Sequence, residues 1–472
     1  MSARWSRRSF LGRAAAATTG TVLGAAVLGQ HSAAADPWRA ADAIARSVCP
    51  PRFPHRHFPV TRFGARGDGV TDCTRAFASA VDACARAGGG HVVVPAGRYL
   101  TGPIHLKSNV DLHVTEDATI AFSQDPDAYL PVVYTRWEGT ELYNYSPLIY
   151  AFGQRNIAVT GTGTLDGQAD NAHWWPWKGS ADYGWHPGDP QQSPARTRLM
   201  AMAEQGVPVA QRVFGDGGYL RPNFVQPYRC RDVLIEGVTI VNSPMWEIHP
   251  VLSRNVLVHN VKVATHGPNN DGCNPESSAD VVIRGCTFDT GDDCIAIKSG
   301  RNADGRRVNV PSERILIEDC DFAAGHGGVT VGSEMSGGVR EVYARHLRLS
   351  SPDLDTALRF KTNSVRGGFI HDVHAADITV GTVAQAVITI DFYYEEGPGH
   401  GFNPDVTGIT VDGMTVTQAQ RALNLRGYPD DPVGSIRLSN VDFARTAQPS
   451  VVENVAGLVL DHVYENGAPM SV

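Results

Sequence analysis

An eight-residue pattern returns along most of this chain and limits what it can become. Val233-Leu234-Ile235-Glu236-Gly237-Val238-Thr239-Ile240 reappears at 256–263, 281–288 and 315–322. Further copies begin at Val342, Val373, Ile409, Ile436 and Leu458, and an early one at Ile157. From 233 onward the starts are 23, 25, 34, 27, 31, 36, 27 and 22 residues apart. Each copy is two short β-rich bursts with alternating inside and outside positions, joined by polar or glycine turns. No coil of this kind can bury its apolar face alone, so coils must stack into one continuous core. The pattern predicts an all-β chain: a right-handed parallel β-helix, a solenoid of about ten coils. The right hand is an expectation that the spacing does not show. A leucine-rich repeat would need its Leu/Asn consensus, and a propeller about four strands per repeat of ~40 residues.

The repeat also marks what does not belong to it. The spacing of Phe77, Val81 and Cys84 predicts a helix over 72–87, capped by Asp72 and stopped by Gly88-Gly89-Gly90. Placed before the strands, that helix can cap the open end of the solenoid. From Ile157 to Val233 is 76 residues, well over one coil, and the excess at 167–230 carries Trp174, Trp175, Trp177 and Trp185. A long insertion on one face of a repeat protein is a functional loop or a lid. Its tryptophans either pin it to the coils or stack on a ligand. At the N-terminus, Ser6-Arg7-Arg8-Ser9-Phe10-Leu11, an Ala-rich apolar run and Ala33-Ala34-Ala35 form a twin-arginine secretory signal. The expected organisation is a signal over 1–35, a leader over 36–62 and a single β-helix domain over 63–472, exported from the cell and monomeric, with no membrane association after the signal is removed.

Charged residues are 19% of the chain and glycine is 49 of 472, which excludes a disordered chain, a coiled coil and a strongly basic nucleic-acid binder. Without the four arginines of residues 1–35 the formal charge is (41 − 4) − 49 = −12. Positive charge for an anionic ligand must therefore be local. The eight cysteines include no CxxC pair, so a zinc site is not expected. Cys286 and Cys320 hold equivalent places in successive repeats and read as a buried stack rather than a bridge.

Similar offsets from the repeat starts align side chains on one wall. Asp271 lies 15 residues after Val256, Asp292 and Asp293 11 and 12 after Val281, and His326 11 after Ile315. Arg359 and Lys361 lie 17 and 19 after Val342, and Trp246 and His249 13 and 16 after Val233. With coils about 4.8 Å apart these groups share one groove. Crowded carboxylates raise at least one pKa. One protonated and one ionised carboxyl suits cleavage of a glycosidic bond, with Arg359 and Lys361 placed for the carboxylate of an acidic sugar. Each element alone is an ordinary turn or solvated edge; four in register are not.

In these residues the chain resembles glycoside hydrolase family 28, the polygalacturonases. The motifs are Asn269-Asn270-Asp271-Gly272 (Asn for the family's Thr), Gly291-Asp292-Asp293-Cys294, Gly325-His326-Gly327 and Arg359-Phe360-Lys361 (Phe for Ile). The resemblance runs from about residue 60 to the C-terminus. It implies an inverting hydrolysis of pectic galacturonosidic bonds without metal or cofactor. Asp292 is then the proton donor, Asp271 and Asp293 activate water, and His326 supports the acid's protonation state. Arg359 and Lys361 bind galacturonate, with Asn269, Trp246 and His249 as further substrate contacts. The segment 243–250 is similar to the bacterial exo-acting branch, and an insertion walling off one end of a groove agrees with exo action. Alternatives on the same fold are a Ca²⁺-dependent pectate-lyase-type enzyme, a rhamnogalacturonan or xylogalacturonan hydrolase, and a non-catalytic carbohydrate-binding solenoid.

Overall fold

A computed structural model describes residues 36–472. The expected twin-arginine signal, residues 1–35, lies outside them. Parallel ladders dominate: one 22-stranded sheet and a 6-stranded sheet are built from short strands of successive coils. The coil path is a right-handed parallel β-helix. The repeat starts are register partners one after another: Ile157 with Val233, Val233 with Val256, Val256 with Val281, and Val281 with Ile315. The series continues through Val342, Val373, Ile409, Ile436 and Leu458.

The bend between the two bursts of each copy explains the motif's fifth position. Gly237, Asn260, Gly285, Asp319, His346, Asp377, Gly413 and Asn440 all have positive φ, between 52° and 78°. Glycine, Asn and Asp are the residues that tolerate this left-handed conformation best, and they fill most of these bends. The next residue points inward at every coil, so Val238, Val261, Cys286, Cys320 and Leu347 stack in the interior, each at most 1% exposed. Cys286 and Cys320 belong to this stack, and all eight cysteines are free thiols.

Four helices flank the coils among the described residues. Helix α1 (Pro37–Ser47) lies in the leader, where no helix was expected. It buries Ala41 and Ile44 against Val282, Leu316 and Tyr343, outward-facing residues of three consecutive coils. Helix α2 (Thr74–Arg86) is the expected cap. It begins two residues later than predicted, because Asp72 sits outside it and accepts the Thr74 N–H at 2.9 Å. Its apolar face, including Phe77, Val81 and Cys84, closes the first coils and joins the main core.

Helix α3 (Ser193–Glu204) belongs to the insertion, and α4 (Asn302–Val308) to a connection further on. A second excursion was not anticipated: an antiparallel hairpin of Val133–Trp137 and Thr140–Asn144. Trp137 and Leu142 of the hairpin pack with Ala195 and Leu199 of α3 and with Trp246. Hairpin and insertion thus form one wall over the coils. Of the insertion's tryptophans, Trp174 is buried, 5.3 Å from the Tyr129 ring and 5.0 Å from Trp177. Trp175 donates its Nε1–H to the Ser243 carbonyl at 2.9 Å. These rings pin the insertion to the solenoid.

Candidate active site

The strands Ile295–Ile297, Val329–Val331 and Leu358–Lys361 pair in parallel, Ile295 with Val329 and Val329 with Leu358. Cys273 bridges to Ile295, and Ile248 to Cys273. Counting back two residues from these partners aligns Trp246, Asp271, Asp293 and Gly327; counting back three aligns Asp292 with His326. Glycine at 327 has a steric reason: a Cβ there would lie 2.3 Å from Thr330 Oγ1 and 3.0 Å from Asp293 Oδ1. The turn can pass only without a side chain.

Asp271, Asp292 and Asp293 each present an oxygen within 4.8 Å of the other two. They open into a cavity of about 290 Å³ that His326, Arg359 and Lys361 also line. Asp292 and Asp293 face different partners. Asp293 Oδ1 accepts from Thr330 Oγ1 at 3.0 Å and Arg359 Nη1 at 3.2 Å, and its Oδ2 lies 2.5 Å from Lys361 Nζ. Asp292 Oδ1 lies 3.0 Å from His326 Nδ1. The Asp292 side chain is 19% exposed against 4% for Asp271 and 1% for Asp293, so it is the carboxyl a ligand reaches most directly.

The charges follow from these surroundings. Burial, reinforced by Asp292 and Asp293, pushes Asp271 well above the usual carboxyl range, although Lys298 opposes it. Burial would also raise Asp292, but the hydrogen bond and charge of His326, with Lys361 and Lys298, hold it well below. Asp293 is likewise held low against burial by Lys361 and Arg359. The hydrogen bond to Asp292 raises His326 above its ordinary value, against burial. The surroundings thus push the carboxyls apart: Asp271 is biased towards its protonated form, Asp293 towards its ionised form, and the Asp292–His326 bond favours a proton on the imidazole.

Of the expected substrate contacts, Trp246 and Asn269 line the cavity. His249 does not. It is fully buried, bonded through Nε2 to Glu276 at 2.6 Å, with Asn223 and Gln226 donating to Nδ1. A ligand cannot reach it, and the expectation that it contacts substrate is corrected: three residues after Trp246 the chain has turned beneath the coil surface, and His249 serves a buried network with Glu276 and Arg136.

Several groups were missed. Lys298 Nζ lies 3.4 Å from Asp271, 3.1 Å from Glu334 and 4.5 Å from the centre of the Trp246 ring. Its signal in the sequence is a lone cation at the end of the apolar Ile295-Ala296-Ile297 strand. Glu247, beside Asp271, is fully buried with both carboxyl oxygens unpartnered; burial first, and then Asp271, raises its pKa well above the ordinary value. Glu138 from the hairpin tip and Lys178 and Arg196 from the insertion complete one end of the cavity. No periodicity could have assigned these three, since they stand outside the repeat.

A family model for glycosyl hydrolases family 28 matches residues 213–470, more than half of the chain. The chain belongs to glycosyl hydrolases family 28. It is therefore a glycoside hydrolase. A second model, described as rhamnogalacturonase A/epimerase, pectate lyase-like, matches residues 58–113. A probable polygalacturonase of Vitis vinifera is 30% identical over 407 residues, covering 83% of this chain and 74% of that one. An exo-poly-alpha-D-galacturonosidase of Dickeya chrysanthemi is 29% identical, covering 75% of this chain and 62% of its own length. Among solved structures, a hyperthermoactive exopolygalacturonase from Thermotoga maritima aligns with a TM-score of 0.87 at 47% identity, covering 90% of this chain and 96% of that one.

Proposed function

We infer that this family 28 hydrolase cleaves galacturonosidic bonds of pectic polygalacturonate and releases units from a chain end. The observation that carries the reading is the shape and charge of the cavity. Hairpin and insertion close it on one side of the carboxyl trio. On the other side it runs on through Arg359, Lys361 and Tyr394 into a groove of about 440 Å³ along the later coils. A polymer end fits such a space; the middle of a chain does not. The exo activity of the Thermotoga and Dickeya relatives supports the same mode.

In this reading Asp292, the most reachable carboxyl, donates the proton to the leaving oxygen, and His326 supplies it. Arg359 and Lys361 hold the acidic sugar beside the bond. Water held between Asp271 and Asp293 attacks the anomeric carbon as the bond to the leaving oxygen breaks, and its proton passes to one of these two carboxylates. The trio is more tightly spaced than the roughly 6.5–9.5 Å of most inverting pairs. Inversion is nevertheless the expected course, as the family resemblance implies, with the two flanking carboxylates serving water rather than the sugar. Asp293 is gripped at both oxygens by cations, and Asp271 is buried beside Lys298. The trio also has the donor chemistry of a Ca²⁺ site, which a lyase would use. Against that, Lys298 and Lys361 already supply positive charge at Asp271 and Asp293. Export through the twin-arginine signal and a monomeric state complete the reading and rest on the sequence alone; no helix among the described residues is long and apolar enough to cross a membrane.

Proton NMR of early products from polygalacturonic acid, with and without EDTA, tests this. Monomer of inverted anomeric configuration, formed equally with chelator, is the expected result. A ladder of oligomers would refute exo action. Unsaturated uronide lost with EDTA would establish the lyase.

A further inference from the structure

Every cation lining the active-site cavity except one faces a carboxylate of the protein itself. Arg196 Nε lies 2.6 Å from Glu138, and Arg301 Nη1 lies 3.2 Å from Glu334. Lys298 is paired with Asp271 and Glu334, and His326 with Asp292. Arg359 and Lys361 share Asp293. Lys178 is the exception among the described residues. Its Nζ donates to the neutral side-chain oxygen of Asn269 at 3.1 Å and has no ion pair.

That oxygen receives a second positive donor. Arg221 Nη2 lies 2.8 Å from Asn269 Oδ1. Arg221 is fully buried, and its remaining bonds go to the Gln192 side chain and to the carbonyls of Pro244 and Pro268. Two positive charges therefore converge on one uncharged oxygen. Burial first, and then the neighbouring Arg221, draws Lys178 below the usual lysine range against the more distant pull of Glu138 and Asp292, and burial brings Arg221 down to about 10 against the same two carboxylates. A buried cation without a carboxylate in contact, as Arg221 is, and a half-buried one beside it favour the arrival of an anion. The site is also rigid. Lys178 ends the turn Trp175–Lys178, which the Trp174, Trp175 and Trp177 contacts fix to the coils.

The position matters as much as the charge. Asn269 belongs to the coil of Asp271, whereas Arg359 and Lys361 come from the coil beyond His326. Positive charge therefore stands on both sides of the carboxyl trio. We propose that Lys178, backed by Arg221 and oriented by Asn269, binds the carboxylate of the sugar unit at the closed end of the cavity, across the cleaved bond from the unit held by Arg359 and Lys361. The substrate so selected carries a uronic acid on each side of the bond. A polymer that alternates acidic and neutral sugars satisfies only one of the two sites. This inference rests on the galacturonosidase reading above.

The test compares trigalacturonate with two derivatives, one with the carboxyl of the released terminal unit reduced to an alcohol and one with that of its neighbour reduced. For the wild-type enzyme either reduction is expected to lower kcat/KM about tenfold or more, the usual weight of a hydrogen bond to a charged group. Lys178→Met should lose a similar factor on trigalacturonate and become indifferent to the terminal carboxyl, while still penalising loss of the neighbour's. Lys178→Arg should restore most of the preference, which separates charge recognition from a folding defect. A Lys178→Met enzyme that still discriminates against both derivatives overturns the proposal, as does a wild-type enzyme indifferent to the terminal carboxyl. Failure of the wild-type enzyme to hydrolyse trigalacturonate and longer oligogalacturonates would instead sink the functional reading, and this inference with it.

Discussion

Asp292 and His326 show how one hydrogen bond holds a carboxyl down in a crowd of like charges. Three aspartates stand within reach of each other, yet their surroundings divide them: Asp271 is desolvated, Asp293 is bound by two cations, and Asp292 is tied to an imidazole. Donation from Asp292 therefore draws on the proton held by His326 across 3.0 Å. The sign of the pH dependence follows. His326 is raised above its ordinary value, so the pair keeps its proton to higher pH than a free imidazole would and loses it as pH climbs past the raised value. The basic limb of the kcat profile should report this loss. In His326→Gln that limb should disappear or move, with turnover down by about 10²-fold, the usual scale for disabling general acid catalysis. An unchanged basic limb in the variant would show that another group carries the proton.

Elements in this chain do two jobs. Strands and their left-handed bends build the solenoid, and the pieces outside the repeat finish its ends and walls. Helix α2 is the clearest of the second kind. Phe77 is 1% exposed and meets the Tyr99 ring edge-on at 6.4 Å, covering coil interior that no earlier coil protects. Phe77→Ala leaves a cavity at that cap, and stability should fall by about 3–5 kcal/mol, the range for large-to-small changes in a core. Equilibrium urea unfolding measures it; a loss below 1 kcal/mol would mean that the helix does not seal the coil end. The hairpin acts on the opposite concern, the shape of the cavity. Its tip sits on the coil at residue 301, whose N–H donates to the Gly139 carbonyl at 3.0 Å. A Cβ at 139 would lie 2.7 Å from that same nitrogen, so glycine there lets the hairpin settle close enough to bring Glu138 to the cavity rim.

The whole molecule carries a formal charge of −8 yet is read as a binder of a polyanion. The contradiction is resolved by distribution. Arg359 and Lys361 in the cavity and Arg421 and Arg426 in the adjoining groove set cations along successive coils, although Arg426 is paired with Asp391 and Glu453. Exposed charges of this kind are screened over about 8 Å at physiological salt. KM for long polygalacturonate should therefore rise steeply with added NaCl, while KM for trigalacturonate, which occupies mainly the enclosed and less screened cavity, should rise much less. Equal salt responses would mean that the outer groove does not take part in binding. Repeat period, coil stacking and register were legible in the sequence, because alternation and the bend residues recur with every coil and each copy reports the same local geometry. The line of Asp271, Asp292, Asp293, His326, Arg359 and Lys361 was legible for a related reason, since similar offsets in a solenoid fall on the same wall. What lies outside the repeat was not. His249 turns inward although its offset matches, and Lys298 belongs to the site although it ends an apolar strand. Glu138, Lys178 and Arg196 reach the cavity only because a hairpin and an insertion, far apart in the chain, fold against each other. Periodic sequence fixes what sits above what; the placement of a loop depends on the packing of side chains distant in sequence, and only the folded molecule decides that.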